Sequence, residues 1–301
     1  MDYFEFQKKF PTERAVIDYF VKIRYNGSVV CPKCGKAEGV YRRHTEPRKI
    51  HCNHCESEYS IFSGTIFEKS DTDLRKWFYA INLVILSRKG ISALQLKREI
   101  GVTYKTAWRM LKQIRTAMGN KDMSKAFEAI VEIDETYVGG KPRKDNNDDL
   151  PKPPLKRGRG TNKTAVIGVK ERNSKRVYAQ IAFPNKDGKK LTGKQLFKVL
   201  DRVCKDNTTI ITDDFSGYNF LDRENINKYV RLSVNHSAGQ YVSSNGVHTN
   251  GIESFWALLK RGIYGIYHHI SVKYMQRYIN EFTFRMKDNS FDGLLKQCVL
   301  V

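Results

Sequence analysis

Apolar positions along this chain change their rhythm part-way. Before about residue 120 they recur at helical spacing, in TERAVIDYFVKIRY (12–25) and through residues 71–120, a stretch without proline. From about residue 127, short strand-like runs take over: AIVEIDETYV, TAVIGVKE, RVYAQIAF, TTIITDD and YVRLSVNH. Helical patterns separate or follow them, in LTGKQLFKVLDRVCKD, GIESFWALLKRGIYGIYH and VKYMQRYINEFTFRMK. The alternation predicts an α/β or α+β domain. Three segments are expected: residues 1–68 with an N-terminal helix and the cysteine pairs, 69–125 helical, and 126–301 mixed.

KPRKDNNDDLPKPPLKRGRG (141–160) breaks the pattern, with prolines among lysines and arginines and almost nothing apolar. It reads as a mobile basic loop between two strands, or as a plain linker. No run approaches the roughly 18 apolar residues of a membrane helix, and MDYFEFQKKF lacks the order of a signal peptide. A cytoplasmic protein without a membrane partner is expected. The formal net charge of +21 changes the picture more. Self-repulsion of that size points to a polyanionic partner, nucleic acid above all, since neutralising phosphates releases counterions.

Four of the six cysteines form two pairs, CPKC (31–34) and CNHC (52–55). A two-residue gap lets both thiolates of a knuckle reach one tetrahedral ion, so Cys31, Cys34, Cys52 and Cys55 are expected to hold structural Zn²⁺. With four sulfurs available, His51 and His54 read as surface residues. Cys204 and Cys298 stand alone and read as small core residues.

ISALQLKREIGVTYKTAWRMLKQIRTAM (91–118) has the order of a helix-turn-helix. Ile91, Leu94, Leu96 and Ile100 mark a first apolar face, Gly101 offers the turn, and Thr103 could cap a second helix. That helix would bury Ala107, Met110, Leu111 and Ile114, leaving Tyr104, Lys105, Arg109 and Lys112 to face a duplex. An ordinary helical hairpin with a charged face fits the same pattern.

Three acids stand where strands and a helix meet. Asp134 interrupts the first mixed-domain strand, Asp213 and Asp214 end TTIITDD, and Glu253 lies in NGIESFWALLKRG. At about 100° per residue, Ile252, Phe255, Trp256, Leu259 and Ile263 share one buried face, with Glu253 and Lys260 along its edge. Converging carboxylates without a histidine cluster make an oxygen-only site suited to Mg²⁺ or Mn²⁺, and two such ions can drive phosphodiester chemistry.

Taken together, CPKCG, CNHC, FSGTIFEKS, the helix-turn-helix, IDETYVGG, ITDDFSGY, VNHSAGQYV, HTNGIESFWALLKRGIYGIYHH and YINEFTFR resemble insertion-sequence transposases of the DDE class. The likeness is to their zinc-ribbon group with an ISXO2-like catalytic region. The resemblance implies a ribonuclease-H-like fold, a mixed five-strand sheet with flanking helices, preceded by a zinc ribbon and a helix-turn-helix. It also implies two-metal cleavage at transposon ends, strand transfer by the freed 3′-OH, and action as a dimer or larger assembly on DNA. The nucleoid of a prokaryote is the implied setting. Carried onto this sequence, the acidic triad would be Asp134, Asp213 and Glu253, with Lys260 contacting phosphate. Lys156, Arg157, Arg159 and Arg261 join the expected DNA contacts. Asp214 competes with Asp213, which better continues the strand, and Glu135 could replace Asp134 only if the strand register flipped. Asn250 could be an auxiliary ligand or, by preference, a helix cap. His236 and His248 receive no definite role. A DNA-binding regulator with a dead catalytic domain, or a hydrolytic nuclease of the same fold, are the competing functions.

Overall fold

All five strand-like runs become strands of one sheet. The computed structural model describes residues 1–119, 127–139, 163–182, 191–222, 228–234, 247–287 and 290–299. Of two compact units, the one spanning Asn120–Lys287 holds this sheet. Its strands are β4 (Ile130–Val138), β5 (Thr164–Glu171), β6 (Val177–Ile181), β7 (Thr208–Asp213) and β8 (Tyr229–Val234), in the order β6-β5-β4-β7-β8. β4, β5 and β6 pair antiparallel, while β7 runs parallel to β4 and β8 to β7. This is the mixed five-strand sheet of the ribonuclease-H-like fold.

Helices cover both faces, and alternation along β4 decides what each receives. Val131 and Ile133 point into a core closed by Leu196, Val199 and Leu200 of α6 (Gly193–Val203). Val138 points the other way with Val166 and Ala179 of the neighbouring strands. There it meets Ile252, Phe255, Trp256 and Leu259 of α7 (Asn250–Gly262) and Met275, Ile279 and Phe282 of α8 (Val272–Lys287). The expected apolar face of α7 is therefore buried, and a turn of π-helix, Ile263–Tyr267, continues it.

The other unit spans Met1–Gly119 and Asp288–Val301. It contains α1 (Tyr3–Lys9), α2 (Glu13–Tyr25) and a three-strand ribbon of β1 (Val40–Arg42), β2 (Lys49–Cys52) and β3 (Glu58–Ser60). These are followed by α3 (Leu74–Leu86), α4 (Ala93–Ile100) and α5 (Tyr104–Ala117). Ser92 caps α4 by accepting from the Gln95 amide, Gly101 ends it at φ 60°, and Thr103 caps α5 by accepting from the Thr106 amide. The expected turn and cap are thus where the sequence placed them. Leu94 is a correction: it is 47% exposed, because two helical steps from Leu96 turn it about 200° away from the core.

The C-terminal helix α9 (Phe291–Val299) is a second correction. The sequence reading ran the mixed segment on to residue 301, yet α9 packs against α2, α3 and α5. The Phe291 ring meets Phe10 and Phe78, the Tyr19 hydroxyl donates to Asp292 at 2.6 Å, and the Ile66 amide donates to the Cys298 carbonyl at 3.2 Å. Ribbon, helical segment and α9 fall in one unit. No helix among the described residues is long and apolar enough to cross a membrane.

Candidate active site

β4 carries charges because alternate residues meet α7. Asp134 lies on the α7 face, opposite Gly168 of β5. A Cβ at Gly168 would stand 2.5 Å from Trp256 Cζ2, so glycine is what admits the indole this close to the sheet. The Trp256 Nε1–H then donates to Asp134 Oδ2 at 2.9 Å. Parallel pairing of Val131 with Ile210 and Glu132 with Ile211 sets an offset that, continued two residues, brings Asp213 level with Asp134. Asp213 turns back on its own chain, accepting from the Phe215 amide at 3.1 Å. Glu253 sits in the first turn of α7, where the Thr249 hydroxyl donates to its Oε1 at 2.8 Å.

Asp134, Asp213 and Glu253 line one cleft of about 460 Å³, together with Glu135, Thr136, Thr249, Trp256, Ala257 and Lys260. Lys260 therefore shares the cleft with the acids, as its helical spacing from Glu253 predicted. Asp214 is exposed beyond the strand and is not among the lining residues. Glu135 has the opposite orientation from Asp134, and the Tyr218 hydroxyl donates to its Oε2 at 3.0 Å. Thr249 takes the cap position of α7, not Asn250, which is exposed as the first helical residue. The Thr249 hydroxyl is directed at Glu253 instead of an amide.

Desolvation, followed by the charges of Glu135 and Asp213, pushes the Asp134 carboxyl up to about 7. Carboxylates crowded in this way call for a cation, and an all-oxygen donor set suits Mg²⁺ or Mn²⁺. The residues fit such ions, although the three acids line the cleft without closing on a single point. Among the described residues, only the cysteine quartet gathers three or more metal-binding side chains within 4.8 Å of one another.

That quartet is built by two knuckles at the ends of the ribbon strands. The Cys31 amide donates to the Lys36 carbonyl and the Cys52 amide to the Ser57 carbonyl. Sγ of Cys31 lies 3.6 Å from that of Cys55, and Sγ of Cys34 lies 3.7 Å from that of Cys52. A tetrahedron with zinc–sulfur bonds of about 2.3 Å has edges of about 3.8 Å, so the sulfurs fit Zn²⁺. Burial opposes ionisation of Cys31, but hydrogen bonds from the Cys34 and Lys33 amides and the Ser57 and Cys55 side chains together bring the thiol down to about 6. His54 is exposed and His51 half-buried beside Glu58, both apart from the quartet.

Tyr104, Lys105 and Arg109 are exposed on α5, and Lys112 is half-buried with its ammonium 5.5 Å from the Trp108 ring centre. Arg261 is exposed on α7 beside Lys260. Lys156, Arg157, Arg159 and the rest of loop 141–160, like His236, lie outside the described residues. One residue that pattern reading passed over is Glu132. It is 1% exposed and accepts from the Ile252 amide at 2.8 Å and from Arg172 Nε at 3.2 Å. An acid on the same strand face as Asp134 was its only sequence signal.

The ISXO2-like transposase domain model matches residues 127–287, and a transposase zinc-ribbon domain model matches residues 11–58. A protein of Halobacterium salinarum, described as an uncharacterized protein in transposable element ISH50, is 32% identical over 261 residues, covering 84% of each chain. Among solved structures, the Mos1 strand transfer complex is similar over 73% of this chain and 74% of that one, with 12% identity and a TM-score of 0.31. For the Drosophila P element transposase strand transfer complex the coverages are 74% and 60%, with 14% identity and a TM-score of 0.27.

Proposed function

The chain belongs to the ISXO2-like transposase family, and we propose that it binds the ends of its own DNA element, cuts there, and joins the freed 3′-OH to target DNA. The observation that carries this reading is the cleft shared by Asp134, Asp213, Glu253 and Lys260. Asp134, Asp213 and Glu253 would hold two divalent cations, which supply charge stabilisation for breaking and making phosphodiester bonds. The chain's own residues prepare that site. Trp256 donates to Asp134, Thr249 donates to Glu253, and the Lys260 ammonium, which lines the same cleft, would contact a phosphate.

Joining is a transesterification. The 3′-oxygen bonds to a target phosphorus, the bond from that phosphorus to the target strand's 3′-oxygen breaks, and a proton passes from the attacking hydroxyl to the displaced oxygen through solvent. Cys31, Cys34, Cys52 and Cys55 would hold a structural zinc ion. Tyr104, Lys105, Arg109 and Lys112 of α5 would contact element DNA, and Arg261 would extend the basic edge beside the cleft. Lys156, Arg157 and Arg159 stand as further contacts on sequence grounds. Pairing two DNA ends calls for two active sites, hence a dimer or larger assembly on DNA.

The test is a strand-transfer assay with Mg²⁺ or Mn²⁺ and a labelled duplex from the edge of the native element. Joined products from the native protein, lost in Asp134→Asn while end binding persists, are expected. Cutting without joining would make the protein a nuclease. Tight binding without cutting in either metal would make it a DNA-binding regulator.

A further inference from the structure

The first turn of α7 needs a partner for its amides, and its own cap residue does not provide one. Thr249 is at the cap but makes no capping bond, since its hydroxyl goes to Glu253. Glu132 of β4 fills the role from 120 residues away, its Oε2 accepting from the Ile252 amide at 2.8 Å. A carboxylate so buried is costly unless compensated. Arg172 provides the compensation, its Nε at 3.2 Å from Glu132 Oε1 while its Nη2 donates to the His248 carbonyl at 2.6 Å. The partial positive charge of the helix N-terminus adds to it. Gly251 completes the fit, because a Cβ there would stand 2.7 Å from Glu132 Oε2.

We infer that Glu132, held by Arg172, is a positioning residue: it sets the first turn of α7 on β4 and so places Glu253 relative to Asp134. Two contacts on one strand face fix this register. Glu132 holds Ile252, and Asp134 accepts from Trp256. Two strand residues advance about 6.7 Å and four helical residues about 6 Å, so both contacts close together only when helix and strand are in step. Without the Glu132 carboxylate, the Ile252 amide loses its charged acceptor, and the half-buried Arg172 guanidinium loses the carboxylate it is paired with. The Glu253 carboxylate moves with that turn.

The inference rests on the reading of Asp134 and Glu253 as partners in cleavage, and its test has an arm that does not depend on that reading. Full-length native protein, Glu132→Gln and Gly251→Ala would be compared by hydrogen exchange without metal, and by single-turnover cleavage of the labelled end duplex in Mn²⁺. Both variants are expected to exchange faster in a peptide covering 249–256, with α6 (193–203) unchanged. Cleavage should fall about 10- to 100-fold, as for supporting groups around metal sites, with DNA affinity held. Adding Arg172→Met to Glu132→Gln should cost less than the sum of the two single changes, since the pair acts as a unit. Unchanged exchange at 249–256 would overturn the inference, as would faster exchange spread equally into α6. If exchange changes as expected but the native protein cuts nothing, the helix clamp stands and the cleavage reading falls.

Discussion

Asp134 shows how a single residue is prepared for a cation. Its carboxyl sits against Trp256 and near two other acids, and burial, more than the charges of Glu135 and Asp213, raises it to about 7. Below the unfolded value of about 3.8 both states hold the proton, so the site adds no pH dependence. Between about 4 and 7 the folded protein holds a proton that the unfolded chain has lost, so metal-free stability falls as pH rises through this range. Asp134→Asn keeps the shape without the ionisation. Its melting temperature should therefore pull ahead of the native protein's from about pH 4 to about pH 7, then keep a constant lead. Saturating Mg²⁺ should shrink that lead. Melting curves followed by circular dichroism, with and without metal, check both statements; parallel profiles across this range would contradict the raised carboxyl.

At the scale of elements, packing of α7 on the sheet depends on a missing side chain. Gly168→Ala would drive a methyl into the Trp256 ring, whose nearest atom is 2.5 Å from the new Cβ. Overpacking of this kind costs about 1–3 kcal/mol, and here it would also pull the indole from Asp134. A lower denaturant midpoint together with a shifted tryptophan emission is the expected result; an unchanged midpoint would show that α7 can yield. Much of this layer was legible in the sequence. Short strand-like runs marked all five strands, helical arcs marked the buried face of α7, and Gly101 and Thr103 marked the turn before α5. Asp213 could be preferred to Asp214 because it continues a strand. What stayed hidden was non-local. The bond from Glu132 to the Ile252 amide crosses 120 residues, and local pattern cannot tell a buried cap from a solvated charge. Asn250 looked like the cap for the same reason, since a capping side chain can be recognised locally only when it belongs to its own helix. Loop 141–160 remains a reading of composition alone.

For the whole molecule, the ribbon needs more than its apolar residues. Its three strands are only three or four residues long, and so short a ribbon has little core of its own, so zinc held by the cysteine quartet is expected to contribute folding energy. Purified protein should carry one tightly held zinc ion per chain. Stripping it, or changing Cys31 and Cys34 to serine, should lower end binding while the unit spanning Asn120–Lys287 still melts cooperatively. Unchanged binding and an unchanged dichroism spectrum after stripping would contradict the zinc assignment. The placement of α9 has a consequence for synthesis. A ribosome delivers residues 127–287 before α9, so the sheet unit can fold while the unit that began first still lacks a helix. Phe291 reaches Phe10 and Phe78 only once the chain of the sheet unit has been made, so the unit holding residues 1–119 is completed after the sheet unit that follows it in the chain.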